Sequence, residues 1–142
     1  MRSWINFSMV PIFVDTHGFY VWADAAHSAH QRARALLADD GNRYVSSQWI
    51  VVETVNLFVA RRKPHWAERV LDLVERSKAL RILDATSDQF QAATQLWMER
   101  RDQAFPLTDC TSFVLMREHG LTDALTADKH FRAMGFNPLL AD

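Results

Sequence analysis

Apolar and polar positions alternate along the chain in two patterns, one typical of strands and one typical of helices. Residues 10–14 (VPIFV) form a short, continuous, β-rich apolar run, which predicts a strand buried in a parallel sheet. Similar runs predict further strands at residues 44–45, 80–83, 123–126 and 136–140. Apolar residues at helical spacing predict helices at residues 19–23, 27–37, 46 or 47 to about 62, 64 onwards, 87–101, 109–119 and 129–134. Strands that alternate with helices predict one domain, residues 1–142, built as a three-layer α/β/α sandwich with a mainly parallel central sheet.

Several of these boundaries carry their own start signals. Thr86-x-x-Gln89 has the pattern of a capping box, in which two side chains and two main-chain N–H groups pair at a helix start. Ser46 or Ser47 is expected to cap the helix that follows it, and Thr108 is expected to cap the helix at residues 109–119. Gly18 is expected to allow a tight turn after the first strand.

Composition excludes several classes of protein. The 142 residues are 49% hydrophobic and 23% charged, which supports a packed core and argues against disorder. The net charge of −1 gives no bulk attraction to nucleic acid, so such a contact needs a local basic patch. One cysteine cannot form an internal disulfide, which favours the cytoplasm, and no run approaches the roughly 20 apolar residues of a membrane span. If Met9 is the true start, residues 1–8 are a non-essential surface extension.

Four acidic residues stand out because of where they fall on the predicted elements. Asp15 ends the first strand and Asp128 follows the strand at residues 123–126, so both are expected at the carboxyl edge of the sheet, where ligands collect. Asp109 lies at a helix start, and Glu53 lies inside a strongly apolar helix. Two carboxylates about 4 Å apart repel by roughly 4 kcal/mol at an effective dielectric constant near 20. A cluster of four would therefore require protons or cations, and Mg²⁺ and Mn²⁺ prefer such oxygen ligands.

Each acid alone also has an ordinary structural explanation. Asp15 is a reasonable turn or cap residue, and Asp109 suits the first turn of a helix. Glu53 is harder to explain in this way, because a buried carboxylate without a partner is costly. Spacing alone therefore leaves the metal site open.

Four short segments of the chain form an ordered set. The first half carries Val14-Asp15-Thr16 after an apolar strand and then residues 49–54 (WIVVET). The second half carries residues 107–113 (LTDCTSF) and 124–131 (ALTADKHF), followed by the ending Met134-Gly135-Phe136. Each segment is weak evidence alone, but the ordered set spans nearly the whole chain. It resembles the PIN-domain family, and in particular the VapC toxins of bacterial toxin–antitoxin pairs.

The resemblance implies an endoribonuclease that depends on Mg²⁺ or Mn²⁺ and hydrolyses phosphodiester bonds of RNA. It implies that Asp15 and Asp109 are direct metal ligands, and that Asp128 binds a second ion or a ligand water. Glu53 resembles the acid that holds the metal-bound water. Hydrogen bonds that orient these carboxylates are expected from Thr16, Thr108 and Thr126.

The expected partners are an RNA substrate, a small cognate antitoxin and a second copy of the chain, with no membrane. Aromatic side chains in the helices exceed what one small core needs, and an exposed share would suit a homodimer face or an antitoxin groove. The run Arg61-Arg62-Lys63 is interpreted mainly as a helix end that complements the helix dipole, with RNA contact as the alternative.

Two residues near the acids depart from a simple pattern. His17 stands where the family commonly has a small serine, and it is expected to face solvent rather than to touch phosphate. Cys110 follows Asp109 directly, but no paired histidine is evident, so it is interpreted as a small buried hydrophobe rather than a nucleophile.

Two other functions remain open at this point. A non-catalytic PIN-like module could bind RNA or protein without metal, although the presence of all four acids disfavours it. A different small metal phosphohydrolase could share the fold, because a doubly wound sheet supports many chemistries. The missing D-x-D pattern at Asp15 weakens one common version of that alternative.

Overall fold

The computed structural model describes residues 10–38 and 41–142. Within them, five strands form one sheet in the order β3-β2-β1-β4-β5, and every strand pairing is parallel. The strands are β1 (Ile12–Val14), β2 (Tyr44–Ser47), β3 (Leu80–Leu83), β4 (Asp123–Leu125) and β5 (Asn137–Pro138). This arrangement confirms the predicted fold class. The expected extension at residues 1–8 and the alternative start at Met9 lie outside the described residues.

Seven α-helices and one short 3₁₀ turn connect and cover these strands in the described chain. The helices are α1 (Thr16–Ala23), α2 (His30–Ala38), α3 (Gln48–Ala60), α4 (Pro64–Arg76), α5 (Ser87–Glu99), α6 (Leu107–Glu118) and α7 (Lys129–Ala133), and the 3₁₀ turn is Arg101–Gln103. None of the helices in the described part of the chain has the length and apolarity that a bilayer crossing requires. The predicted pattern of alternating strands and helices is therefore observed, with differences at the boundaries.

Local hydrogen bonds decide those boundaries. Thr86 and Gln89 form the expected capping box, and Ser47 Oγ accepts from the Ile50 N–H. The prediction that Thr108 caps the next helix is wrong. The chain is extended at Pro106, so α6 begins at Leu107 and already contains Thr108.

The strand order determines which loops meet at the carboxyl edge of the sheet. β1 lies at the centre between β2 and β4, and the chain connections change direction at that point. Its three residues are buried, as are the large side chains Phe113 and Phe131 that pack in the same core. Ligands of open parallel sheets bind outside the carboxyl ends of the strands at such a switch point. The residues that follow β1 and β4 therefore meet there.

Gly18 does not form the predicted tight turn but allows a helix to pack closely on the sheet. The first helix starts at Thr16, three residues earlier than expected, so Gly18 lies inside α1. A Cβ on Gly18 would lie 2.4 Å from the Leu125 carbonyl oxygen and 3.2 Å from Val14 Cγ1. The absence of a side chain thus lets α1 pack directly on the ends of β1 and β4, beside Asp15.

Candidate metal-binding active site

All four acids singled out in the sequence line one cleft of about 500 Å³ at the carboxyl edge of the sheet. Asp15 follows β1 and Asp128 follows β4, which are neighbouring strands. Asp109 comes from the first turn of α6, and Glu53 comes from the middle of α3. Four segments that are far apart in the chain therefore contribute carboxylates to one space.

Asp15 is the most deeply buried of these acids, with 4% of its surface exposed. Its Oδ2 accepts a hydrogen bond of 2.9 Å from Thr126 Oγ1, whereas its buried Oδ1 has no hydrogen-bond partner among the described residues. Burial raises the pKa of Asp15 to about 7, and the charges of Asp109 and Glu53 act in the same direction. A buried oxygen without a partner is a costly arrangement, which a bound cation would relieve.

Asp109 shares this environment, with 5% of its surface exposed. Its Oδ2 lies 2.9 Å from Nδ1 of His130. Burial raises the pKa of Asp109 to about 6, the hydrogen bond from His130 lowers it, and the charges of Asp128 and Glu53 raise it. Two neighbouring carboxylates with raised pKa values indicate a site that lacks positive charge.

His130 is a site residue that the sequence reasoning missed. Its Nδ1 also lies 3.3 Å from Asp128 Oδ1, and its ring packs edge-on at 5.1 Å from the ring of Phe105. Asp109, Asp128 and His130 each offer a possible metal ligand atom, and these atoms lie within 4.8 Å of one another. The available signal was the short spacing from Asp128, whose side chain caps α7 by accepting from the His130 N–H.

Two of the three threonines expected to orient the carboxylates contact them. Thr16 Oγ1 donates to Glu53 Oε1 at 2.5 Å. Thr126 Oγ1 donates to Asp15 and accepts from the Asp128 N–H at 3.1 Å. Thr108 differs from the expectation, since its hydrogen bonds run through its carbonyl oxygen, which accepts from Thr111 Oγ1 and Ser112 Oγ. The early start of α6 at Leu107 turns Thr108 into an ordinary helix residue.

His17 does not simply face solvent, as the sequence suggested. Its half-buried ring accepts a hydrogen bond of 3.1 Å at Nδ1 from the Ala127 N–H, and it packs edge-on at 5.6 Å from the ring of His27. Burial lowers the pKa of His17, and His27 adds to that effect. The ring thus supports the loop that carries Asp128. Cys110 is fully buried in the core, in agreement with its interpretation as a small hydrophobe.

An apolar groove of about 1210 Å³ lies next to the acidic cleft, and Glu53 and Leu57 line both. The groove runs between α3, α5 and the start of α6. Several large apolar side chains that line it are exposed, namely Val52, Phe90 and Leu107. Val52 has 61% of its surface in contact with solvent.

Residues 12–137 match the PIN-domain family model. The chain belongs to the PIN-domain family. The match covers β1 to β4, the first residue of β5 and the four acids singled out in the sequence, so the resemblance stated from short segments is confirmed over nearly the full chain.

The chain is also similar to individual VapC proteins. It is 31% identical over 126 residues to "23S rRNA-specific endonuclease VapC20" of Mycobacterium tuberculosis, which covers 88% of this chain and 95% of that protein. The crystal structure of Mycobacterium tuberculosis VapC20, described as a "Sarcin-Ricin loop cleaving toxin", superposes with a TM-score of 0.78 at 28% identity, over 88% of this chain and 95% of the other. VapBC2 from Rickettsia felis bound to a promoter DNA fragment gives a TM-score of 0.64 at 15% identity, over 89% and 95% of the two chains, and supports the fold alone.

Proposed function

We propose that this PIN-domain protein is a metal-dependent endoribonuclease and that the acidic cleft is its active site. The class of activity predicted from the sequence, a VapC-like endoribonuclease, is confirmed by the family match and the VapC20 similarity. The metal dependence and the identity of the site residues are our proposal. The observation that carries it is the buried carboxylate of Asp15, which has one oxygen without a hydrogen-bond partner among the described residues and shares its cleft with four other acids.

The donors in the cleft fit a hard divalent cation. Asp15, Asp109 and Asp128 would hold Mg²⁺ or Mn²⁺ through carboxylate oxygens, the ligand type that both ions prefer. Such an ion, when bound, polarises a phosphoryl oxygen and lowers the pKa of a bound water. Negative charge at Asp15 and Asp109 is unfavourable without a cation, as their raised pKa values indicate.

The remaining residues position these groups for phosphodiester hydrolysis. Glu53, held by the Thr16 hydroxyl, is placed to accept a proton from the attacking water. Thr126 fixes the rotamer of Asp15, and its second hydrogen bond ties the backbone at Asp128 to the same point. His130 holds Asp109 through the contact of its Nδ1 with Asp109 Oδ2. Each carboxylate therefore has a defined orientation before substrate arrives.

The partners follow from the family membership and from the two neighbouring surfaces. We propose that RNA binds in the acidic cleft, with structured ribosomal RNA as the first substrate to test because of the similarity to VapC20. A small antitoxin is the proposed inhibitor, and the exposed apolar groove is the proposed contact surface of a homodimer. The cytoplasmic location and the single-domain organisation remain predictions.

Purified protein incubated with ribosomal RNA and transfer RNA tests the proposal directly. Cleavage is expected with Mg²⁺ or Mn²⁺ and is expected to stop with chelator. Cutting that does not need metal, or full activity in both Asp15→Asn and Asp109→Asn, would contradict the proposed site. Turnover of a phosphomonoester instead of RNA would favour a different phosphohydrolase. RNA binding that neither metal nor Asp15→Asn affects would favour a non-catalytic module.

A further inference from the structure

The acidic cleft continues away from the carboxylates along α1 and α3. Glu53 and Leu57 of α3 and its C-cap residue Arg61 follow one another at four-residue intervals, and all three line the cleft. Arg61 lies at the end of α3, about 12 Å from Glu53 along the helix axis at 1.5 Å per residue. Tyr20 of α1 lines the same stretch. The cleft therefore joins the four acids to a cationic side chain at the end of α3.

The guanidinium of Arg61 is held in place by Tyr20. Arg61 Nη1 donates to the Tyr20 hydroxyl at 3.1 Å, and the guanidinium carbon lies 5.0 Å from the centre of the Tyr20 ring. The ring is itself fixed, because it stacks on Phe58 at 5.7 Å and meets Trp66 edge-on at 5.9 Å. A guanidinium ordered before binding loses little entropy when it binds a ligand, and its other N–H groups suit a phosphate.

Charge in the cleft makes this one cation important. Arg61 is the only lysine or arginine among the described residues that line the cleft, and it forms no ion pair with the described acids. The acids along the same lining are Asp15, Asp24, Glu53, Asp109 and Asp128. A polyanionic strand is repelled by these carboxylates, and away from the proposed metal the described lining offers it a permanent positive charge only at Arg61.

We propose that Arg61, held by Tyr20, binds a backbone phosphate that flanks the cut phosphodiester of the RNA. The strand then runs from the carboxylates along the cleft between α1 and α3. This subsite rests on the proposed function, since it requires RNA in the acidic cleft. It assigns phosphate binding to the first residue of the Arg61-Arg62-Lys63 run, which the sequence analysis interpreted mainly as a helix end that complements the helix dipole, with RNA contact as the alternative.

Steady-state cleavage of a fluorescently labelled RNA hairpin that the wild type cuts with Mn²⁺, measured at several salt concentrations, tests the subsite. For Arg61→Gln we expect KM to rise about tenfold with kcat within about twofold, because a phosphate contact contributes binding rather than chemistry. The slope of log(kcat/KM) against log salt should fall by about 1, as expected for one lost phosphate contact. Arg61→Lys should recover most of the salt slope, and Tyr20→Phe should raise KM less than Arg61→Gln.

Arg69→Gln is the matched control. The guanidinium of Arg69 also lies over an aromatic ring, 5.4 Å from the centre of Trp22, but Arg69 does not line the cleft. An unchanged KM and salt slope in Arg61→Gln, or an equal change in Arg69→Gln, would overturn the subsite while wild-type cleavage upheld the proposed function. A fall in kcat alone would also overturn it. Absence of metal-dependent cleavage by the wild type would instead refute the proposed function itself.

Discussion

Helix α3 borders two surfaces, the acidic cleft and the apolar groove, and a different effect destabilises each of them. On one side the acidic cleft, about 500 Å³, gathers carboxylates whose orientations are set by Thr16, Thr126 and His130. On the other side the apolar groove, about 1210 Å³, exposes side chains such as Val52 and Phe90. Uncompensated negative charge destabilises the first, and contact of apolar surface with water destabilises the second. A cation relieves the former and a protein partner the latter, so changes on one side should leave the other intact.

Removal of a carboxylate charge from the centre of the acidic cleft should have the strongest effect on cleavage. Asp15→Asn should lower cleavage of ribosomal RNA about a thousandfold, because it removes a proposed metal ligand and its charge. Initial rates with Mn²⁺ measure the effect. Asp24→Asn is the matched control, since Asp24 lies on the same lining but accepts from the Ala26 N–H, as an amide oxygen also can. Equal rates for the two variants would contradict a special position of Asp15.

The electrostatic cost of the cleft should also appear as pH-dependent stability without metal. The folded protein keeps the Asp15 proton up to about pH 7, whereas the unfolded chain releases it near its ordinary value of 3.8. The folded state therefore binds more protons between these values, so stability is greatest below about pH 4 and falls as pH rises from about 4 to 7. At about 1.4 kcal/mol per pKa unit, the fall attributable to Asp15 is on the order of 4 kcal/mol.

Thermal unfolding in chelator from pH 5 to 8 measures this fall. Asp15→Asn should flatten the profile and be more stable than the wild type at pH 8, and Mn²⁺ should stabilise the wild type more at pH 8 than at pH 5. A wild-type profile with the same slope as Asp15→Asn would count against a buried, metal-dependent charge at this position.

Thr126 donates a hydrogen bond to an acid of the cleft, whereas Thr108 is only the sequence neighbour of one. Comparing the two separates the effect of the hydrogen bond from that of sequence proximity. Thr126→Val removes the donor to Asp15 and should weaken Mn²⁺ binding about ten- to a hundredfold, as is typical for a group that orients a ligand. Thr108→Val should leave Mn²⁺ affinity nearly unchanged, because the Thr108 hydrogen bonds run through its carbonyl oxygen. Isothermal titration calorimetry compares the two. A larger loss in Thr108→Val would restore the expectation drawn from the sequence.

The smallest expected effect concerns the apolar groove. Val52→Asp places a charge on the proposed contact surface and should weaken homodimer association about tenfold, in keeping with the cost of burying an unpaired charge. Sedimentation velocity over a concentration series measures this, and Mn²⁺ affinity should not change. Leu71→Asp is the control, since Leu71 is similarly exposed on α4 but does not line the groove. Dissociation by Leu71→Asp but not by Val52→Asp would move the interface elsewhere.

Local chemistry explains which elements were predictable. The capping box at Thr86 and Gln89 and the cap at Ser47 were recognisable because their partners lie three residues away. The apolar runs identified all five strands for a similar reason, since burial on both faces leaves a continuous pattern in a few residues. Thr108 was misassigned because the extended backbone at Pro106 moved the helix start two residues earlier.

The candidate site likewise contains residues that the sequence identified and residues that it did not. The order and spacing of four short segments were enough to single out the acids, since each follows a recognisable strand or helix start. His130 escaped because its importance depends on a side chain 21 positions earlier, Asp109, which only folding brings within 2.9 Å. Gly18 was misinterpreted for a related reason, since the atom that excludes a side chain belongs to Leu125.

The sequence alone was enough to predict the alternation of strands and helices, the family and the four acids that line one cleft, because these predictions depend on patterns within a few residues. Three features became apparent only in the folded chain: β1 lies beside β4, Asp15 Oδ1 has no hydrogen-bond partner among the described residues, and Arg61 lines the acidic cleft. These features depend on the packing of segments that are distant in the chain, and the energies involved arise from burial and from charges brought together. The periodicity of the sequence shows neither which distant segments pack together nor which charges they bring close to one another.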